Sequence, residues 1–204
     1  VGAPMGTYGW RVDGELTREL VEAPRAVANR VHVDVASIGI ERRPDPLWLL
    51  AGSAAALRFD DGTTRMRVAA RIERRVWARP RVALGLESMA FERTAGGREV
   101  DRGYWNPRRY AEARAYAALT HEFRPYDLQL RLGLGTAREV DGAGNRSAGQ
   151  PHLWELGLGW DVSPGLRLRL ADGGSGQGLG LTAGAGGGAG YWRRYLNFSA
   201  NVWF

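Results

Sequence analysis

The last nine residues read Leu196-Asn197-Phe198-Ser199-Ala200-Asn201-Val202-Trp203-Phe204, and apolar side chains recur there at every second position. Successive side chains of a β-strand point to opposite faces, so this stretch predicts a strand with one apolar and one polar face. The strand runs to an aromatic final residue, whereas the terminal residues of soluble domains usually fray. We therefore expect an environment that covers the apolar face along its full length.

A strand of this kind resembles the C-terminal assembly signal of bacterial outer-membrane β-barrels. The residues that carry the signal here are Phe198, Val202 and Phe204. The resemblance implies the outer membrane of a Gram-negative bacterium as the location, with outer-membrane lipid and the barrel assembly machinery as partners. The last strand of a soluble β-sandwich also alternates between apolar and polar residues. The terminal stretch by itself does not distinguish this alternative from a membrane barrel.

The same period of two recurs along the chain. A helix would instead place apolar residues three and four positions apart. Segments with this pattern are 8–13, 31–35, 65–73, 82–87, 110–120, 128–135, 154–162 and 166–170. The stretch 47–59 is more apolar throughout, so the sequence does not show which of its residues face lipid and which face the interior. We expect about ten strands, many of which reach the ~9–11 residues that a tilted membrane crossing needs.

The connections between these segments alternate between tight turns and longer loops. Four tight turns contain proline, which cannot continue a strand ladder; they are 43–46, 78–81, 124–127 and 163–165. The opposite links are 60–63, a short hairpin turn, and the longer loops 94–109, 140–151 and 172–190. Outer-membrane barrels have short periplasmic turns and longer extracellular loops. The pattern predicts an all-β, transmembrane antiparallel up-and-down β-barrel as a single domain over 1–204, with a periplasmic N-terminus.

The composition agrees with this fold. The 204 residues include 29 glycines for turns and crowded strand positions, and no cysteine, which excludes disulfides and thiolate chemistry. No apolar run approaches the ~18 residues of a membrane helix, so any crossing needs strands. The chain starts Val1-Gly2-Ala3-Pro4 without a charged, apolar leader, so we expect a mature chain or the C-terminal part of a longer one.

The net charge of +6 comes largely from arginines at alternating strand positions, which argues against nucleic-acid binding. In a barrel these arginines face the lumen beside acidic residues. Two interpretations stay open: ion pairs that rigidify a narrow lumen, or contacts to a polyanion or a hydroxyl-rich sugar. The candidate lumen contacts are Arg65, Arg67, Arg71, Arg114, Tyr116, Arg131, Arg167 and Arg169.

The histidines offer little for catalysis. His32, His121 and His152 lack metal-ligand spacing, and no nucleophile-elbow motif occurs. The alternation in 31–35 places the valines toward lipid, and His32 and Asp34 toward the lumen as a candidate acid–base pair. We expect no enzyme activity, no metal and no cofactor, with an active site at the extracellular rim as an alternative.

Rings near the ends of the segments suit the membrane interfaces, where amphipathic side chains prefer the headgroup level. They are Tyr8, Trp10, Tyr104, Trp105, Tyr126, Trp154, Trp160, Tyr191 and Trp192. Tyr104 and Trp105 have a second interpretation as a platform for carbohydrate stacking. The glycine-rich run 173–190 predicts a flexible extracellular loop, with a mobile lid as the alternative.

The segment Gly103-Tyr104-Trp105-Asn106-Pro107-Arg108-Arg109-Tyr110 resembles the G-Y-[FY]-S-P-x-x-Y segment of cellulose synthase operon protein C and related tetratricopeptide-repeat outer-membrane proteins. Trp105 and Asn106 depart from that pattern. The resemblance implies an exopolysaccharide export barrel that is supplied by a periplasmic repeat scaffold. It marks Tyr104, Trp105, Pro107 and Tyr110 as an extracellular loop motif. A small structural or adhesive barrel with a plugged lumen is the alternative.

Overall fold

Residues 2–5, 9–21, 24–95, 104–177 and 192–202 are described by the computed structural model, and most of them lie in β-strands. The strands are β1 Gly2–Met5, β2 Trp10–Leu20, β3 His32–Arg42, β4 Trp48–Phe59, β5 Thr64–Trp77, β6 Arg81–Ala95, β7 Arg109–Phe123, β8 Tyr126–Val140, β9 Arg146–Gly149, β10 Pro151–Ser163, β11 Leu166–Gln177 and β12 Trp192–Val202. A short helix, α1, spans Pro24–Ala28. Among these residues, no helix is both long and apolar enough to cross a membrane.

The strands pair in the order in which they occur along the chain. The order is β1-β2-β3-β4-β5-β6-β7-β8-β10-β11-β12, and the short β9 pairs with β8. Within the described ranges, ten strands have between 11 and 15 residues, whereas β1 and β9 have four each. The predicted up-and-down arrangement of about ten long strands is therefore confirmed.

The links between strands follow the predicted alternation. Residues 124–125 and 164–165 are two-residue turns, and 78–80 is a three-residue turn. The links at the opposite ends of the strands are longer. One contains α1 and joins β2 to β3, and another contains β9 and joins β8 to β10. Strand β11 continues to Gln177, so it takes in the start of the glycine-rich run, and residues 178–190 of that run lie outside the described residues.

The chain divides into two compact units. The first unit comprises Val1–Ile72, Glu87–Ala113 and Ala137–Ala148, and the second comprises Glu73–Leu86, Arg114–Thr136 and Gly149–Phe204. Each unit has strands with an apolar face and an opposite face that carries most of its charged strand residues. These two faces are called the apolar face and the polar face below.

The apolar face of the second unit is uncovered. Leu158 pairs with Leu128 on one side and with Leu170 on the other, and Leu170 pairs with Phe198. Phe198 keeps 67% of its surface exposed, and Leu196 keeps 72%. Monomeric soluble proteins rarely expose a contiguous apolar surface of this kind. The soluble β-sandwich is therefore wrong for this chain, because a second sheet would bury these side chains.

The first unit resolves the facing of β3 and β4. Ile38 and Ile40 lie on its exposed apolar face. Val33 pairs with Phe59 on the other face, where both are buried with Val31 and with Ala26 of α1.

The predicted facing of 31–35 is therefore wrong. Asp34 lies on the apolar side, exposed, with its carboxylate 3.7 Å from the guanidinium of Arg18. Periodicity could not reveal this arrangement, because the five-residue α1 packs Ala26 against the valines.

Candidate functional site

Tyr116 of β7 lies on the polar face of the second unit and is only 4% exposed. Its hydroxyl donates a hydrogen bond of 2.8 Å to Glu73, and the guanidinium of Arg131 lies 4.1 Å from the centre of its ring. Arg131 in turn lies 3.6 Å from the carboxylate of Glu155. A Cβ on Gly85 would stand 2.2 Å from the tyrosine ring, so glycine is required there for the ring to cross the neighbouring strand.

A second charged group on the same face is centred on Arg167 of β11. Its guanidinium donates a hydrogen bond to the buried carboxylate of Asp127 and lies 3.5 Å from Asp161. The side chain of Asp127 lies across Gly159, where a Cβ would stand 1.8 Å from a carboxylate oxygen. Arg169, two residues further along the strand, donates a hydrogen bond of 2.8 Å to the neutral amide of Gln129.

These contacts distinguish the predicted lumen arginines from one another. Arg131 and Arg167 are paired with carboxylates, whereas Arg169 is bonded to an amide. Arg114 is half-buried in the same unit. The face therefore presents alternating donors and acceptors rather than a single-sign field, and such a surface can exchange hydrogen bonds with a polar polymer. Arg65, Arg67 and Arg71 belong to the first unit.

Arg65 of β5 holds a connecting segment against the polar face of the first unit. The side chain is almost fully buried and donates hydrogen bonds to the carbonyl of Trp105 (3.1 Å) and to the side-chain oxygen of Asn106 (2.8 Å). Its guanidinium also lies 4.3 Å from the ring centre of Phe91 and 5.1 Å from that of Phe59. The other predicted contacts on β5, Arg67 and Arg71, lie two and six residues further along the strand.

Tyr104 is stacked on Phe59 with 4.8 Å between the ring centres, and its hydroxyl donates a hydrogen bond of 2.7 Å to Asp61. Burial, as the main cause, raises the pKa of the Tyr104 phenol to about 12. Its ring is therefore part of a packed cluster rather than an open platform.

Trp105 completes the cluster on the same face. Its indole N–H donates a hydrogen bond of 3.2 Å to Glu139, and its ring meets Phe91 and Tyr110 edge to face. Pro107 is buried. Tyr104, Trp105 and Pro107 thus belong to one inward-packed segment, and Tyr110 at the start of β7 packs against it. We refer to residues 104–107 as the inward segment.

The partners of the inward segment were missed by the sequence reasoning. Phe59, Phe91 and Glu139 carry no motif, because each is one alternating residue of an ordinary strand. Asp61 had a local signal, since its side chain accepts a hydrogen bond of 2.8 Å from the backbone N–H of Thr63, as aspartate does in many turns.

The predicted acid–base pair of His32 and Asp34 is not formed. His32 instead lies 3.9 Å from the carboxylate of Asp60, which also accepts a hydrogen bond from the His32 backbone N–H. Within the described ranges, no three acidic or histidine side chains are grouped closely enough to hold a metal ion.

The predicted assembly signal is described only in part. Phe198 and Val202 lie on the exposed apolar face of β12, and Phe204 lies outside the described residues. Among the predicted interfacial rings, Tyr126 and Trp160 are partly exposed neighbours, with 6.1 Å between their centres. Tyr8 and Tyr191 also lie outside the described residues, as does the side chain of Trp192.

A family model described as the PgaA membrane beta barrel domain matches residues 7–144, which is more than half of the chain. The fold and the match define the class, a β-barrel domain of the outer membrane. The chain belongs to the PgaA membrane beta barrel domain family. This result also confirms the resemblance to the barrels of exopolysaccharide export proteins.

A solved structure described as a "Bacterial polysaccharide outer membrane secretin" has the same fold. It is 15% identical in sequence with a TM-score of 0.69, and the alignment covers 96% of this chain and 65% of that one. The chain therefore spans about two thirds of the length of that structure. No curated protein matches the chain significantly.

Proposed function

We propose that this chain forms the membrane-spanning conduit of an exopolysaccharide export protein. The observation that carries the proposal is that the strands of the second unit have an uncovered apolar face and an opposite face with paired charges. In a barrel of this family, the first face meets lipid and the second lines the interior. The similar solved structure is described as a polysaccharide secretin, which supports the choice of polymer class.

The polar face of the second unit suits a hydroxyl-rich polymer. Arg131 and Arg167 are held by carboxylates, so the polymer would meet fixed donors and acceptors rather than free charges. Arg169 and Arg114 are the remaining arginine donors proposed to contact the polymer on this face, and Arg67 and Arg71 are the corresponding donors in the first unit. Weak, repeated hydrogen bonds of this kind allow a chain to enter and still leave.

One specific observation favours a second candidate, a structural barrel with a plugged lumen. The inward segment and the rings of Phe59, Phe91 and Tyr110 occupy the polar face of the first unit. A conduit would have to pass this cluster or displace it. Neither candidate function needs a catalytic group. The proposed partners for both are a periplasmic repeat scaffold and the barrel assembly machinery.

The test is polymer export by a strain that lacks the full-length protein and is complemented with variants. Deletion should abolish surface polysaccharide, and the wild-type chain should restore it. Arg131→Glu should lower export, since it places two carboxylates together on the polar face. Arg18→Glu, which alters an exposed charge near Asp34 on the apolar side, is the matched control. Full export by the Arg131 variant would contradict the proposed polymer path.

Single-channel conductance of the purified protein distinguishes the two candidates. A conduit should conduct in a planar bilayer, and Arg65→Ala should raise the conductance because it releases the inward segment. A plugged barrel should be closed as the wild type and should conduct only when Arg65→Ala releases the inward segment, and its deletion should leave surface polysaccharide unchanged.

A further inference from the structure

An apolar groove with a volume of about 460 Å³ opens on the apolar face of the second unit. Its lining includes Phe123, Tyr126, Leu158, Trp160, Leu168 and Phe198. The volume lies in the range of about 300–1,000 Å³ that is typical of small-molecule sites. The groove thus has the size and the chemistry to hold a hydrocarbon chain rather than a polar ligand.

The groove lies beside the two-residue turn 124–125. Phe123 and Tyr126 flank this turn, and their rings are 5.7 Å apart. The turn is held against β10 by a hydrogen bond of 2.8 Å from the backbone N–H of Asp161 to the carbonyl of Pro125. Short turns of outer-membrane barrels lie on the periplasmic side, and aromatic rings concentrate at the headgroup level. The groove therefore opens toward the periplasmic leaflet.

An exposed cation lies in the turn at this end of the groove. Arg124, in the turn itself, is exposed and has no hydrogen-bond or ion-pair partner among the residues that the structure describes. The nearby carboxylates of Asp127 and Asp161 are both engaged by Arg167. The same Arg-Pro pair recurs in two other tight turns, at 43–44 and 79–80. A cation beside an apolar groove is complementary to an anionic headgroup attached to an acyl chain.

We infer that this groove binds one acyl chain of an anionic phospholipid of the periplasmic leaflet, whose phosphate pairs with Arg124. Strand positions that face lipid provide the walls, and the turn provides the charge. The inference concerns the outside of the barrel, so it does not depend on polymer export.

Native mass spectrometry of the full protein in detergent tests this inference with two lipids of identical acyl chains, phosphatidylglycerol and phosphatidylcholine. One arginine near an anionic headgroup should favour phosphatidylglycerol by about fivefold. Arg124→Gln should remove this preference and leave phosphatidylcholine binding unchanged. Arg81→Gln, which alters an exposed arginine beside another tight turn of the same unit, should keep the preference. Heat-modifiable migration on a gel shows whether each variant has folded.

A groove-filling variant, Leu168→Trp, should reduce the binding of both lipids. The inference is overturned if the phosphatidylglycerol preference survives Arg124→Gln, or if Arg81→Gln removes it equally. Retention of lipopolysaccharide in place of phospholipid would also overturn it, because that lipid belongs to the opposite leaflet. If Leu168→Trp does not fold, the two arginine variants still decide the outcome.

Discussion

The polar faces of the two units are built in different ways from the same alternating strands. The first unit packs rings and the inward segment around one buried arginine, Arg65. The second unit places arginines beside carboxylates, with glycines where bulky side chains cross a neighbouring strand. The comparison shows that one strand pattern supports either a packed cluster or a set of ion pairs. The connecting segments decide between these two outcomes, because they determine which side chains pack on the polar face.

The largest effect is expected for Arg65→Ala in the first unit. Loss of hydrogen bonds from a buried charged group to the inward segment should lower the free energy of unfolding by about 3 kcal/mol. Urea unfolding in detergent, followed by tryptophan fluorescence, measures the change. Arg67→Ala, which truncates an exposed arginine two residues away, is the control. Equal effects of the two substitutions would show that the inward segment is not held by Arg65.

A somewhat smaller effect is expected for Gly85→Ala in the second unit. The new Cβ would collide with the ring of Tyr116, and overpacking of this kind costs about 1–3 kcal/mol. Gly157→Ala is the matched control, since its nearest neighbour would be 3.3 Å away.

The double variant Gly85→Ala/Tyr116→Leu sharpens this test. It should recover part of the loss in the free energy of unfolding, because the shorter side chain makes room for the Cβ. Purely additive effects in a double-mutant cycle would argue against the proposed packing.

Tyr104→Phe should lower the free energy of unfolding by a smaller amount, about 1 kcal/mol, because it removes one hydrogen bond to Asp61. Because the pKa of the phenol is raised to about 12, its stabilising contribution is fully present below its ordinary value of about 10. That contribution is lost as the pH rises toward 12.

The difference in absorbance at the phenolate band between the wild type and Tyr104→Phe measures this midpoint. Tyr126→Phe, which removes a phenol from the second unit, provides the comparison. A midpoint near the ordinary value for Tyr104 would show that the inward segment is open to water.

The smallest effect concerns Asp141, in the link between β8 and β9. Hydrogen bonds from the side chain and backbone of Asn145 lower the pKa of this exposed carboxyl. Its contribution is therefore present above its ordinary pKa and is lost as the pH falls below about 4. The protection factor of the Asn145 amide against hydrogen exchange should fall in this range, and should be low at all pH values in Asp141→Ala. An exchange rate that does not change with Asp141 would contradict this role of the carboxylate.

The sequence alone predicted the ten long strands and the tight turns, but not α1, the short strands β1 and β9, or the extension of β11 to Gln177. Period-two alternation predicted the apolar face from Leu128 to Phe198, and the proline turns predicted where strands reverse, because both signals are local. The inward-packed contacts of Tyr104 and Trp105 were beyond such reasoning. Their partners lie 43 and 34 residues away along the chain, and alternation does not distinguish a packed strand residue from an exposed one.

The sequence by itself therefore determined an alternating membrane barrel with short turns at one end, since side-chain alternation and the fixed φ of proline act over a few residues. The tertiary structure alone decided that Val33 and Phe59 turn away from the apolar face, that Arg65 holds the inward segment, and which carboxylate accompanies each arginine. These features depend on which strands are neighbours and on how the loops fold back. Contacts between distant residues set both.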